Sequence, residues 1–338
     1  MAALLKFLKP QTVPAAVVRF GHWLAYLLVR VLISIIQALS IETCLTFSRG
    51  LACLFYDLLP LRRKIVDANL EAAFPEKTLV ERQRQARRMW EHLFLMICEI
   101  AHAPRKIHET NWQHYVSRTP RHREMVQALL MPRPKVIVTA HFGNFEVGGY
   151  LTGLLGFTAH TVARTLDNPF LDAYLTRFRE SQGQFMLPKA GSAPQADAVL
   201  NSGGILVLLG DQHAGDKGCW IEFMGRPASC HKALALFTLL NSAPMLVMAV
   251  RRTGKPLHFE LAMIDYVDPQ IPAPHLADVT ALTQWYNASL EQAIRQSPDQ
   301  YWWVHNRWRE HPKKRREKVR NARQVAAPAD IEEHRPAA

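Results

Sequence analysis

The stretch Lys135–Tyr150, KVIVTAHFGNFEVGGY, decides the fold of this chain. It begins with a short unbroken run of mostly β-branched apolar residues at 136–140, which is typical of a strand in a sheet that is covered on both faces. Gly143 makes a tight turn easy after this strand, and Asn144 is suited to cap a following helix. The stretch therefore predicts a buried strand, a turn and a helix in succession.

The turn and the helix carry a histidine and a carboxylate, His141 and Glu146, with the spacing H-x-x-x-x-E. Residues five apart on one regular helix diverge by about 140° around its axis. The two side chains can therefore meet only if His141 lies in the turn and Glu146 in the first helical turn. A carboxylate beside a histidine fixes its tautomer and stabilises the imidazolium, as a general base requires. The alternative is a structural core histidine with Glu146 on a solvated helix face.

Strands and helices alternate along the rest of the chain. This predicts an α/β fold with a mixed, largely parallel sheet flanked by helices. Sites in such sheets form beyond the carboxyl ends of the strands, where both His141 and Asp211 are expected, so we expect the two residues to share a cleft. Further strands are predicted at 158–162, 204–209, 245–250 and 257–264, and helices at 62–74, 79–102 (ended by Pro104), 169–181, 195–202, 231–240 and 279–295.

The N-terminal region is strongly apolar and predicted to be helical. From Trp23 to Ile41 only Arg30 carries a full charge, and this segment would extend roughly 28 Å as a helix, just short of a bilayer core. A charge inside a spanning helix costs about 2.5–3.5 kcal/mol. The sequence therefore leaves two forms of membrane attachment open: a spanning or re-entrant anchor, or amphipathic helices lying on an anionic cytoplasmic leaflet.

Three regions follow from these patterns. We expect a membrane-association region at 1–60, an α/β domain at 61–311, and a basic tail at 312–338 that is too polar to form a core of its own.

The net charge of +12 and the pI near 9.7 indicate an anionic partner, such as nucleic acid, anionic lipid, a phosphorylated substrate or an acidic protein. Nucleic acid is disfavoured because the chain has no recognition motif of the known kinds, and the common nucleotide-binding loops are also absent from the sequence. Five cysteines without paired spacing predict reduced thiols. Cys219 and Cys230, with His213 and His231 nearby, lack the spacing of a metal site, so no metal or cofactor is predicted.

Five segments carry a resemblance to a known family. They are TAHFGNFE at 139–146, ARTLDNP at 163–169, GDQ at 210–212, FMGRPA at 223–228 and DQYWWVHNRW at 299–308. In this order the chain resembles the late acyltransferases of lipid A biosynthesis, the lauroyl and myristoyl transferases within the lysophospholipid acyltransferase superfamily. The resemblance extends over nearly the whole chain to about residue 312.

The resemblance implies a glycerolipid acyltransferase-like fold and transfer of a fatty acyl group from a thioester. The donor would be acyl carrier protein or coenzyme A. The acceptor would be a hydroxyl of a phosphorylated glycolipid such as a lipid A precursor, at the cytoplasmic face of the inner membrane. A lysophospholipid or another glycolipid remains an alternative acceptor. A different alternative is a basic membrane-associated binding protein that has the fold without the chemistry.

The resemblance also implies roles for individual residues. His141 would be the general base, and Glu146 would orient and charge it. Arg164 would bind a phosphate, because a guanidinium offers it two parallel hydrogen bonds. Asp211 would position the acceptor or a neighbouring basic group. The remaining candidate substrate-binding residues are Asn144, Gln212 and Lys217.

Overall fold

A seven-stranded sheet forms the centre of the computed structural model, which describes residues 14–59 and 61–309. The nine strands of the described chain are β1 (Val116–Ser117), β2 (Lys135–Thr139), β3 (Ala159–Ala163), β4 (Gln184–Pro188), β5 (Ile205–Leu209), β6 (Cys219–Phe223), β7 (Arg226–Cys230), β8 (Met245–Arg252) and β9 (Phe259–Val267). The sheet order is β1-β9-β8-β2-β5-β3-β4, while β6 and β7 form a separate hairpin. Strands β8, β2, β5, β3 and β4 are parallel, and β9 is antiparallel to β8. The predicted mixed, largely parallel sheet is confirmed.

Helices cover both faces of this sheet. Their bounds are α1 (Ala15–Ala38), α2 (Ile41–Cys53), α3 (Arg63–Ala73), α4 (Leu79–Lys106), α5 (His122–Leu130), α6 (Phe145–Leu154), α7 (Pro169–Glu180), α8 (Ser192–Asn201), α9 (Ala233–Leu240) and α10 (Val279–Gln296). Strand β2 shows why its apolar run is unbroken. Val136 and Val138 are buried in one hydrophobic cluster with α10, whereas Ile137 is buried in another with α6. Because both faces are dry, alternation with polar residues is not needed.

Two sequence predictions about elements are wrong. Helix α4 continues through Pro104 to Lys106, because the proline removes only one amide donor and the carbonyl of Ala103 still accepts from Ile107 at 2.8 Å. The glycine-rich segment after β5 was expected to be a loop but contains the β6–β7 hairpin. Met224 and Gly225 form its turn with φ of 52° and 73°, the left-handed conformation that two-residue hairpin turns require.

Helix α1 has no buried residue and is long and apolar enough to cross a membrane. Its polar atoms face the rest of the protein near both ends: the carbonyl of His22 accepts from Asn168 at 2.8 Å, and Gln37 donates to the carbonyl of Ala101 at 2.8 Å. Ser40 caps α2 after a short break. The predicted tail at 312–338 lies outside the described residues, as do residues 1–13 and 60 of the predicted N-terminal region.

Candidate active site

A tight turn between β2 and α6 presents His141. Gly143 has φ +61°, and a Cβ at this position would collide with the carbonyl oxygen of Val250. The amide of Gly143 donates to Gln300 and that of Asn144 to Val250, both at 2.9 Å. Only glycine accommodates this conformation and this close approach without strain. The turn is therefore fixed against β8 and the C-terminal segment.

His141 is hydrogen-bonded to Asp211, which follows β5. Nδ1 of the imidazole lies 2.9 Å from Oδ1 of Asp211, and the backbone amide of His141 donates to Oδ2 at 3.0 Å. Because an ionised carboxylate only accepts, Nδ1 carries the proton. Nε2 then has a free lone pair, which accepts from the Gln212 amide at 3.2 Å. This tautomer suits a base that acts through Nε2.

The surroundings of the pair shift both pKa values. Burial lowers the pKa of the His141 imidazole, but the charge and hydrogen bond of Asp211 and the charge of Glu146 outweigh burial and raise it above its usual value. Burial raises the pKa of the Asp211 carboxyl, but His141 and the charge of Arg307 lower it overall. An ionised Asp211 therefore favours proton uptake by His141.

Glu146 lies in the first turn of α6, but its carboxylate does not contact His141. It is paired with Arg179 of α7, whose Nε donates to Oε2 at 3.0 Å and whose Nη2 bonds to Oε1. The expectation that Glu146 orients the imidazole is corrected by this geometry, since Asp211 already occupies Nδ1. Glu146 acts on His141 through its charge, which contributes to the raised pKa.

Asn144 is a helix cap and not a substrate ligand in this structure. Its side chain is completely buried, its Oδ1 accepts from the amide of Val147 at 3.1 Å, and its Nδ2 donates to Glu99 at 3.0 Å. The expectation of a substrate contact is therefore wrong, because every polar atom of the side chain is already used inside the protein.

A buried ion pair lies behind the same turn. Nε and Nη2 of Arg252 bond to the two oxygens of Glu99 at 2.6 and 2.7 Å, and Nη1 lies 2.9 Å from Nδ1 of His92. Nε2 of His92 lies 3.2 Å from the carbonyl of Gly143. This network joins α4 and β8 to the backbone that holds His141. The sequence analysis did not identify it, since its members are distant in sequence and follow no motif.

His141 lines a cavity of about 610 Å³ at the carboxyl ends of the parallel strands. Its inner wall is apolar, with residues from β2, β5 and β8 and from helices α6 and α9, including Ile137, Val207, Met248, Val250 and Phe237. Basic side chains also line it, namely Arg164, Arg179, Lys189 and His231. A cavity of this size is typical of a small-molecule site. Its two kinds of lining fit an amphiphile with an apolar chain and an anionic head.

The other predicted residues are divided by this cavity. Gln212 lines it. Arg164 lines it with a side chain that is 77% exposed and that pairs with Asp167 at 3.1 Å. Lys217 is exposed in the loop before β6 and is not among the lining residues. Its predicted role in substrate binding therefore has no support from this geometry, because the hairpin carries it away from the strand ends.

Sequence reasoning missed several lining residues. Lys189 follows β4, a strand that was not predicted because its apolar run is short. Arg179 lies on α7, where a charge is ordinarily on a solvated face. Trp302 packs on His141 with ring centroids 4.9 Å apart, and Phe145 packs on it at 5.1 Å. A strand-end position was the only signal that could have identified Lys189.

Arg307 is almost completely buried beneath this site. It donates to the carbonyl of Ser229 at 2.7 Å and lies 2.8 Å from Sγ of Cys230. Cys219 and Cys230 face each other across the hairpin as free thiols. Within residues 14–59 and 61–309, no group of three or more histidine, cysteine or carboxylate side chains is arranged to hold a metal ion.

Comparisons with known proteins identify the class. Residues 15–310 match the model of the bacterial lipid A biosynthesis acyltransferase family. The lipid A biosynthesis lauroyltransferase of Escherichia coli K12 is 26% identical over 297 residues, covering 86% of this chain and 93% of that protein. The palmitoleoyltransferase of the same strain is 23% identical over 259 residues, covering 74% and 80%. The crystal structure of the 1-acyl-sn-glycerophosphate acyltransferase PlsC from Thermotoga maritima aligns with a TM-score of 0.36 and 12% identity, covering 79% of this chain and 97% of that one.

The protein is thus an acyltransferase. The chain belongs to the bacterial lipid A biosynthesis acyltransferase family, as the resemblance in its sequence predicted.

Proposed function

We propose that this protein transfers a fatty acyl group from an acyl thioester to a hydroxyl of a phosphorylated glycolipid of the lipid A type, with His141 as general base. The donor is acyl carrier protein or coenzyme A. The observation that carries the proposal is the His141–Asp211 pair, 2.9 Å apart, at a cavity with an apolar inner wall and basic side chains.

The proton path follows from the tautomer. Nε2 of His141 holds a lone pair that presently accepts from Gln212. The acceptor hydroxyl takes the place of this amide and gives its proton to Nε2, while its oxygen attacks the thioester carbonyl carbon. The carbon–sulfur bond then breaks, and the thiolate leaves with the proton of the imidazolium. A base in this position is typically worth 10²- to 10⁴-fold in rate.

Asp211 has the orienting role that the sequence analysis gave to Glu146. It holds the Nδ1 proton and stabilises the imidazolium that forms during the attack. The aromatic rings of Phe145 and Trp302 restrict the tilt of the imidazole from two directions. Glu146 and Arg179 form the adjacent part of the cavity wall, and the Glu146 charge adds to imidazolium stability.

The lining of the cavity supports an amphiphilic acceptor or donor. The apolar wall is suited to the acyl chain, and the basic side chains Arg164 and Lys189 are suited to phosphates of the glycolipid or of the carrier's phosphopantetheine arm. The net charge of +12 favours both the acidic carrier and an anionic leaflet.

We also infer that the chain works at the cytoplasmic face of the inner membrane, with residues 1–60 as its membrane-association region. The exposed apolar residues of α1 support this arrangement. The α/β domain at 61–311 would then face the cytoplasm, where acyl thioesters are available.

The test is an acyl-transfer assay with the purified chain, acyl carrier protein or coenzyme A thioesters as donors, and a panel of lipid A precursors and lysophospholipids as acceptors. We expect His141→Ala to lower kcat by about 100-fold or more. His114→Ala is the matched control, because His114 is an exposed histidine near the opposite edge strand β1. Equal turnover of His141→Ala and wild type would refute the base assignment. Absence of turnover with every donor would refute acyl transfer to these acceptors.

A further inference from the structure

A second cavity, of about 810 Å³, lies between α1 and α7. Helix α1 contributes Arg19, His22, Trp23, Tyr26 and Arg30 to it, at the three- and four-residue spacing of one helical face. Helix α7 contributes Phe170, Tyr174 and Arg177 from the facing side. We call this cavity the α1–α7 groove. It combines three guanidinium groups with four aromatic rings.

The three arginines of the groove carry uncompensated charge. In the part of the chain that the structure describes, Arg19, Arg30 and Arg177 form no ion pair with a carboxylate. Arg30 is nonetheless held in place, since Nη1 donates to the Tyr26 hydroxyl at 2.8 Å and the guanidinium lies 4.9 Å from the centroid of Tyr174. Three converging positive groups without an acid nearby favour an anionic ligand.

The groove is separate from the cavity that contains His141. Helix α7 stands between them: Tyr174 and Arg177 line the groove, whereas Leu175, Thr176 and Arg179 line the His141 cavity. The diameter of a helix with its side chains is about 10 Å. A ligand in the groove is therefore a different molecule, or a different part of the membrane, from the group that reacts at His141.

The opposite face of α1 is the one suited to lipid. Its large apolar side chains, Phe20, Leu24, Leu28, Val31, Leu32 and Ile35, are between 47% and 71% exposed. With this face in the bilayer, the groove lies at the boundary between lipid and protein. Arginines at such a boundary meet lipid phosphates, while tyrosine and tryptophan rings suit the same depth.

We propose that the α1–α7 groove binds one anionic phospholipid of the surrounding bilayer, with its phosphate held by Arg19, Arg30 and Arg177. The planar fork of a guanidinium matches the phosphate oxygens. The ring faces of Trp23 and Phe170 are suited to the glycerol and the first methylenes of the acyl chains. The groove then seats α1, and with it the domain, on the anionic leaflet. This binding goes beyond acyl transfer and does not require it.

The experiment is native mass spectrometry of the full chain in detergent, titrated with phosphatidylglycerol or phosphatidylcholine. We expect one phosphatidylglycerol to bind per chain, with weaker binding of phosphatidylcholine, and the double variant Arg19→Gln, Arg177→Gln to weaken phosphatidylglycerol at least tenfold. The matched control is Arg118→Gln, Arg123→Gln, which removes the same charge from exposed positions at the other edge of the sheet. Equal weakening in both double variants would reduce the effect to net charge and overturn the proposal.

Two further variants keep the test sharp. Ala173→Trp leaves all charges in place but fills the groove from the exposed face of α7, and we expect it to expel the bound phosphatidylglycerol. His141→Ala is expected to retain it, so that failure of the catalytic assignment and failure of this proposal are distinguishable. Loss of the lipid from His141→Ala would place it in the catalytic cavity, and ready displacement by a lipid A precursor or by inorganic phosphate would replace the proposed occupant. Each of these outcomes would overturn the proposal.

Discussion

Asp211 binds His141 twice, through Nδ1 at 2.9 Å and through the backbone amide at 3.0 Å, although 70 residues separate them in sequence. The register of the sheet explains the contact. Strands β2 and β5 are parallel neighbours in which Thr139 pairs with Leu209, and each catalytic candidate lies two residues beyond its own strand. Both residues therefore reach the same point at the carboxyl edge.

The first prediction compares the two acids near His141. We expect Asp211→Asn to lower kcat by about 100-fold or more, because it removes the charge that fixes the Nδ1 tautomer and stabilises the imidazolium. We expect Glu146→Gln to lower it by less than about tenfold, since Glu146 is bonded to Arg179. Steady-state acyl-transfer kinetics measure both values.

Each substitution in this pair replaces a carboxylate by its neutral isostere, so each is the control of the other. Thermal unfolding should show that both variants remain folded. A larger loss in Glu146→Gln than in Asp211→Asn would restore Glu146 as the residue that orients the base.

The second prediction concerns pH. The imidazole must be neutral to accept a proton, so kcat/KM should fall as pH falls through the pKa of His141. Asp211 and Glu146 raise this pKa, so the acidic limb should have its midpoint above about 6.5, the value of an unperturbed histidine. In Asp211→Asn the burial that lowers the pKa remains, so the midpoint should move to lower pH. A midpoint unchanged by this substitution would show that another group controls the limb.

The central unit of the fold was predictable from local sequence, but the partners of its side chains were not. The apolar run at 136–140 and Gly143 sufficed for the strand and the turn. The strand-end rule also placed His141 and Asp211 in one cleft. The sequence could not show that the register brings these two together while α7 supplies Arg179 to Glu146.

Other failures have the same cause. Asn144 was a candidate both for a cap and for a substrate contact, and only the packing of α4 against the turn decided between them. The hairpin of β6 and β7 was missed because its glycines resemble those of an open loop, whereas Met224 and Gly225 form a two-residue turn. Non-local contacts decided each of these cases.

The third prediction concerns the buried pair behind the catalytic turn. The side chain of Glu99 is fully buried, and that of Arg252 is 11% exposed. Glu99→Gln leaves the guanidinium buried without its counter-charge, so we expect a loss of about 3–5 kcal/mol in the free energy of unfolding. Chemical denaturation measures it.

The matched control for Glu99→Gln is Asp167→Asn, which breaks an exposed pair with Arg164 and should change stability by no more than about 0.5 kcal/mol. Glu99→Gln should also lower acyl transfer, because Asn144 and His92 then lose part of the support that holds the turn. Equal stability of the two variants would mean that Arg252 finds water or another partner.

The fourth prediction tests the lipid-facing side of α1. Leu28 and Leu32 are 71% and 53% exposed on one face of this helix. An aspartate at the bilayer centre costs about 2.5–3.5 kcal/mol, so Leu28→Asp with Leu32→Asp should move the protein from the membrane pellet to the soluble fraction. The control pair, Leu130→Asp with Leu240→Asp, changes equally exposed leucines outside α1 and should stay with the membrane. If the α1 pair also stays in the pellet after a high-salt wash, α1 does not anchor the protein, and the attachment must come from its basic surface.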